Sequence, residues 1–206
     1  MLAVRQSTCN DLVHIEAGLP NAKSTIIDRQ ITFLKKLRNR KDDSYIIRII
    51  NLAKAVKCPM GKRIQTLENM PNNQKEIFMN ELRARVSTSD STRRKTYIEI
   101  NPSMKTCGIL QRHDPSVKEY HRISMTRLRL GSHHLKVETG RWARIPLERR
   151  LCSCGDIQTE THVLLHCRNS QHLRWHLQYQ TISELFQGNT HEISKYCHDI
   201  LTLYRT

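Results

Sequence analysis

RRLCSCGDIQTETHVLLHCRNSQHLR, residues Arg149–Arg174, is the stretch on which the reading of the chain turns. It holds Cys152, Cys154, His162 and Cys167 in a C-x-C-x7-H-x4-C pattern. Thiolates and imidazoles at such short intervals suit zinc, which takes four sulfur and nitrogen ligands in a tetrahedron. Two cysteines one residue apart fit a tight turn, and Gly155 directly after them supplies the backbone freedom such a turn needs. Thr159 and Thr161 are candidate caps for a short helix beginning near His162. On an ideal helix His162 and Cys167 stand about 140° apart. They converge on one ion only if the helix ends or tightens before Cys167, and Arg168-Asn169-Ser170 offers a place for that.

The competing explanation is coincidence, since free cysteine is a common small buried hydrophobe and the chain has seven Cys and eleven His. Three of those seven lie within sixteen positions with a histidine between them, which argues for ligation. The fourth ligand stays open. His166 lies four residues after His162 on the same helix face and rivals Cys167, although the preference of zinc for thiolate favours Cys167. Four protein ligands leave no position for water, so we expect one zinc ion in a structural role.

Working outward, the residues before this block are basic. The whole chain carries 34 Lys and Arg against 19 Asp and Glu, a net charge of +15. Between Lys118 and Arg150 nine Lys and Arg face three Glu. That balance favours polyanionic partners, of which nucleic acid is the commonest. The residues expected to meet phosphates are Arg141, Arg144, Arg149 and Arg150, with lesser help from Arg127 and Arg129. Trp142, between Arg141 and Arg144, has two readings. It stacks on an unpaired base, or it packs against the zinc subdomain and enlarges a small core. A membrane is not expected as a partner, because no apolar run approaches the length of a span.

The cysteine–histidine block, with the preceding MTRLRLGSHHLKVETGRWARIP (Met125–Pro146), resembles the C-terminal cysteine–histidine region of non-LTR (LINE-type) retrotransposon reverse transcriptases. VRQSTCNDLVHIEAGLPNAKSTIIDRQITFLKKL (Val4–Leu37) is similar to the segment after the polymerase in such proteins. The resemblance implies a CCHC zinc-knuckle module that holds element RNA or target DNA during target-primed reverse transcription. The paired-aspartate motif of the polymerase is missing, so the chain resembles the tail without its catalytic domain. The 39 residues after Cys167 (168–206) are too few for the restriction-like nuclease that follows this knuckle in some of the family, and no carboxylate cluster would serve one. No catalysis is expected.

The rest of the chain reads as mainly α: a helical N-terminal bundle, then a small zinc-knuckle subdomain with flanking helices. Seven glycines and 5% aromatics argue against a sandwich or barrel of many turns and aromatic-rich strands. We expect a helical segment over 1–86, a linker with a possible short strand over 87–113, and a basic helix with the zinc module over 114–206. The first helix stops at Gly18-Leu19-Pro20, and a second runs from Asn21 to Arg40 on a stripe of Ile27, Ile31, Leu34 and Leu37. A third starts at Asp42, Asp43 and Ser44 and buries Ile46, Ile49, Ile50, Ala53 and Val56. Ser87–Thr96 reads as linker and Thr96–Ile100 as a strand. Asp114-Pro115-Ser116 starts a helix to Leu130, and His113, Asp114 and Cys107 belong to a loop without catalytic meaning. A final helix places Ile193, Cys197, Ile200 and Tyr204 on one face, with Cys197 as buried packing. An odd number of cysteines at metal-like spacing points to a reducing compartment. The first residues hold no long apolar stretch, so we expect a nuclear or cytoplasmic protein that is not secreted. Helical faces leave room for a second reading, a zinc-stapled adaptor that binds another protein.

Overall fold

The structure, a computed structural model, describes residues 3–39, 45–111 and 115–205. Their regular structure is helical, with a single isolated bridge between Leu151 and Ile157 and no strand among the described residues. The chain forms two compact units, Met1–Gly18 with Arg85–Thr206, and Leu19–Ala84. The boundary at Ala84–Arg85 lies two residues from the expected end of the first segment at 86, while the first eighteen residues belong to the C-terminal unit.

α1 (Asn10–Ala17) ends where Gly18 takes the left-handed conformation at φ 65, which costs a glycine little. α2 (Ala22–Arg38) begins at Asn21, whose side chain accepts from the Ser24 N–H at 2.7 Å. In the Leu19–Ala84 unit α2 is followed by α3 (Tyr45–Ala55), α4 (Pro59–Asn69) and the start of α5 (Gln74–Ser87). The expected helix start at Asp42, Asp43 and Ser44 lies outside the described residues. Pro59-Met60-Gly61-Lys62 is the first turn of α4, capped by the Cys58 sulfur. Gly61 lies against the Ala53 carbonyl, where any Cβ would collide with backbone, so the α3–α4 approach depends on it. Ile27, Ile31 and Leu67 make the small core of this unit. Glu68 bridges Arg38 on α2 and Lys54 on α3, at 2.7 and 2.6 Å. Both carboxylate oxygens of Asp28 accept from the first N–H groups of α5, those of Gln74 and Lys75.

One expectation fails in α3. Of the residues read as its buried stripe, only Ala53 is buried; Ile46, Ile49 and Val56 are exposed, as are Tyr45 and Leu52. The helical spacing was right, but spacing cannot tell which apolar face finds a partner.

The larger unit adds α6 (Thr92–Ile100), α7 (Gly108–Gln111), α8 (Glu119–Arg129), α9 (Lys136–Trp142), α10 (Gln171–Arg174), α11 (Ile182–Gln187) and α12 (Thr190–Leu203). The expected strand at 96–100 is the end of α6; Ser87–Thr96, expected as an exposed linker, holds no buried residue, and its second half from Thr92 is helix. Tyr97 and Ile100, three apart on one helical face, are both buried, and Met104, Cys107 and Ile109 follow them inward. The Tyr97 hydroxyl donates to Glu16 at 2.9 Å, a partner 81 residues away that a local reading does not see. His113 and Asp114 lie outside the described residues, and α8 starts later than expected, at Glu119. α8 packs against α12 through Met125, Leu128, Ile193, Cys197 and Ile200. Cys197 is fully buried there. The Thr181–Glu184 capping box opens α11, and the Asn189 side chain opens α12.

Candidate metal centre and the basic surface beside it

The cysteine–histidine block is built on two local devices. In the first, the Gly155 N–H donates to the Cys152 carbonyl at 3.0 Å and the Cys152 N–H to the Asp156 carbonyl at 2.7 Å, closing a turn that presents both sulfurs. Gly155 sits at φ 101 with open space where a Cβ would be, so conformation alone demands glycine. The second device is a π turn at His162–His166. The Cys167 N–H donates to the His162 carbonyl at 2.7 Å, an i to i+5 bond that brings residues five apart onto one side. The sequence reading expected the helix to end or tighten before Cys167. It ends there, with Cys167 extended at ψ 130, but it widens first.

Widening deprives Val163 and Leu164 of their usual backbone donors. Ser170 Oγ donates to the Val163 carbonyl at 2.7 Å, and the Tyr196 hydroxyl to the Leu164 carbonyl at 2.6 Å. Thr159, one of the two candidate caps, accepts from the His162 N–H at 3.1 Å. The surroundings thus support the open turn by satisfying the Val163 and Leu164 carbonyls.

Cys152, Cys154, His162 and Cys167 each offer one ligand atom, and these atoms lie within 4.8 Å of one another. Cys167 Sγ is 3.6 Å from both Cys152 Sγ and Cys154 Sγ. Zinc–sulfur bonds of about 2.3 Å at a tetrahedral angle would set sulfurs ~3.8 Å apart. Cys154 Sγ lies 3.1 Å from His162 Nε2, which makes Nε2 the ligand nitrogen. His162 Nδ1 is left 3.8 Å from the Asp156 carboxylate, the usual kind of outer partner for a ligating histidine. The four residues could hold one metal ion, and a set of three thiols and an imidazole fits zinc. His166 is exposed and outside the group, so the geometry takes Cys167 as the fourth ligand.

The thiols themselves favour a cation. Against the penalty of burial, hydrogen bonds from the Cys154 backbone, His162 and Cys167 bring Cys152 down to about 6. The Asp156 backbone lowers Cys154, but burial and the Cys167 and Cys152 thiols outweigh it and hold Cys154 up at about 11. Three sulfurs this close do not ionise together unless positive charge sits among them.

Outer contacts tie the centre to the fold. The Tyr204 hydroxyl is 2.9 Å from Cys167 Sγ. Buried His133 is 2.9 Å from the carboxylate of buried Glu160. Gln158 caps α9: its side-chain and backbone oxygens accept from the Lys136 and Val137 N–H groups. Local sequence reading had no signal for these partners, each more than twenty residues away, apart from the place of Tyr204 on the α12 stripe.

The arginines expected to meet phosphates do not behave alike. Arg129 is 6% exposed and is spent on Glu16, itself fully buried. Arg150 donates to the Val137 carbonyl at 2.9 Å and twice to the Ile145 carbonyl, and it fills the space beside Gly140. Arg129 is buried and Arg150 half-buried, and both are held by partners within the fold, because a guanidinium with five donors can satisfy several acceptors at once. Arg141 is tied to Glu138 and to Thr92 Oγ1 at 3.1 Å. Arg127 is exposed and donates to the Ala3 carbonyl at 3.0 Å, its one hydrogen bond among the described residues. Arg144 and Arg149 are exposed and make no ion pair among the described residues. Trp142 neither packs inside nor stands bare: it is 42% exposed, with the Arg5 guanidinium 4.1 Å from its ring centre. Trp175, beyond α10, is 81% exposed.

Among the described residues no helix is long and apolar enough to cross a membrane. No family model, curated protein or solved structure matches the chain.

Proposed function

We propose that the chain is a non-catalytic, zinc-dependent nucleic-acid-binding module, similar in kind to the tail of a LINE-type reverse transcriptase. The observation that carries this reading is the set of four ligand atoms within 4.8 Å, next to a surface where Arg144 and Arg149 stand exposed. Bound zinc would cross-link two short loops that have little core of their own. Around it, Cys152 and Cys154 hold the turn after the basic lead-in, while His162 and Cys167 hold the π turn. Gln158 between them sets the start of α9 and so the place of Trp142 and Arg144. RNA and DNA are both open as partners, since the contacts named are to phosphates and base faces. Exposed Trp175 adds a second ring for stacking.

The test is binding of single-stranded RNA, single-stranded DNA and duplex DNA by zinc-loaded protein across a salt series. The reading expects affinity to fall steeply as salt rises.

One observation favours a second reading, the protein-interaction adaptor. On α3, Tyr45, Ile49, Leu52 and Val56 fall at spacings of four, three and four and are all exposed. Binding through such a face would survive high salt, which separates the two readings.

A further inference from the structure

Within the larger unit, α8, α12, the Ser132–His134 loop and the N-terminal segment line one cavity of about 480 Å3. Arg5, Arg127 and Arg205 stand in its wall with His134, and no aspartate or glutamate does. The neighbouring cavity beside Trp142 is also rich in arginine, but there each guanidinium has a carboxylate. Arg93 and Arg141 share Glu138, and Arg94 holds Asp11 at 2.8 Å. Arg5, Arg127 and Arg205 have no such partner among the described residues. The first cavity keeps its positive charge, and the second, with three guanidiniums on two carboxylates, keeps little of it.

Two further features mark the first cavity as unfinished. Arg5 Nη1 and His134 Nε2 are shut away from solvent without a hydrogen-bond partner. Buried polar atoms in that state are rare and costly, more so on a cation. Burial, and then the charge of Arg127, outweigh the opposing pull of Glu138 and hold the Arg5 guanidinium below its ordinary range. An anion in the cavity would relieve that repulsion. The wall also contains Ser124 and His198, 3.1 Å apart, but they are no nucleophile and base. Ser124 Oγ donates to the Tyr120 carbonyl at 2.8 Å, which leaves its oxygen to accept from His198 Nδ1. The cavity is equipped to hold an anion and lacks the means to react with it.

We propose that this cavity binds a phosphate group, carried by the end of a nucleic-acid strand or by a free nucleotide, through Arg5, Arg127 and Arg205. Guanidinium groups match phosphate oxygens in pairs, and the volume admits the phosphate with part of its nucleoside. As a site for a strand end it rests on the nucleic-acid reading; as a site for a free nucleotide it does not.

The experiment uses the full zinc-loaded chain at constant ionic strength. Calorimetry follows inorganic phosphate, and separate titrations compare one single-stranded oligonucleotide with a 5′-phosphate or a 5′-hydroxyl. Arg127→Gln and Arg205→Gln, both at exposed positions, are the variants, with thermal unfolding to verify the fold. Phosphate should bind the parent chain, and each variant should weaken it about ten-fold, the loss of one charge-assisted contact. A gain from the 5′-phosphate that the variants abolish assigns the site to strand ends; phosphate binding without that gain assigns it to free nucleotides. Phosphate binding by a chain that ignores both oligonucleotides supports the cavity and removes the nucleic-acid reading. Equal binding of both oligonucleotides with no response to phosphate removes the cavity and leaves that reading intact. Phosphate binding indifferent to both variants also overturns the proposal.

Discussion

The Tyr204 hydroxyl donates to Cys167 Sγ across 2.9 Å, joining the end of α12 to a candidate metal ligand 37 residues earlier in the chain. Cys167 is fully buried and Tyr204 nearly so, so this bond forms out of water, where it is strongest. A donor to a ligating thiolate spreads its charge and fixes its direction. Tyr204→Phe keeps the ring and removes only the bond. We expect zinc affinity to fall by about 10–100-fold, with helix content unchanged, as competition with a chelating dye would report. Unaltered affinity would show that the hydroxyl serves packing alone.

The π turn makes a sharp distinction between two neighbouring residues. Cys167→Ser should lose the metal, while His166→Ala, at an exposed position outside the group, should keep it. Metal content of the two purified variants decides the matter. Zinc retained by the first and lost from the second would reverse the ligand assignment.

Glu16 and Arg129 form a buried ion pair between α1 and α8, and Glu16 also accepts from Tyr97 on α6. Removing one partner strands the other charge in the core, which costs about 3–5 kcal/mol. Glu16→Gln should therefore lower stability by that amount in denaturant titrations. Replacing both partners with apolar residues of like size should cost far less, because no charge is then left buried. A single variant as stable as the parent would mean the pair contributes only shape.

The surface arginines should separate from the internal ones by salt dependence. Each phosphate contact contributes about −0.9 to the log–log salt slope on duplex DNA and about −0.7 on a single strand. Arg144→Ala with Arg149→Ala should flatten the slope by roughly 1.4–1.8 and leave stability unchanged. Arg150→Ala should behave in the opposite way, losing stability through the Val137 and Ile145 carbonyls it satisfies. A flat response to the paired substitution moves the adaptor reading, with its exposed α3 face, to first place.

The contrast between Arg149 and Arg150 shows where sequence reading stops. Both sit in one basic run, and the run is a fact of composition. Which guanidinium turns inward depends on carbonyls at Val137 and Ile145 that only the fold brings near. The same limit applies to Arg129, whose partner is 113 residues away, and to Tyr97, on the buried face of a helix where a strand was expected, whose partner is 81 residues away. What spacing carries well is local. The C-x-C-x7-H-x4-C pattern, the Gly18 stop and the helix start at Asn21 depend on residues close together in the chain, and the structure shows each of them. The π turn was half legible, because the 140° mismatch demanded an irregular helix without saying which kind.

The central claim, that a metal centre organises a nucleic-acid-binding surface, is tested most directly by one titration on one sample. Affinity for a single-stranded oligonucleotide is measured on purified protein of known metal content, again after chelation, and again after zinc is restored. The account predicts one zinc per chain, a loss of binding together with protease sensitivity around Cys152–Cys167 on chelation, and recovery of both with zinc. Full affinity and full protease protection in metal-free protein would contradict it.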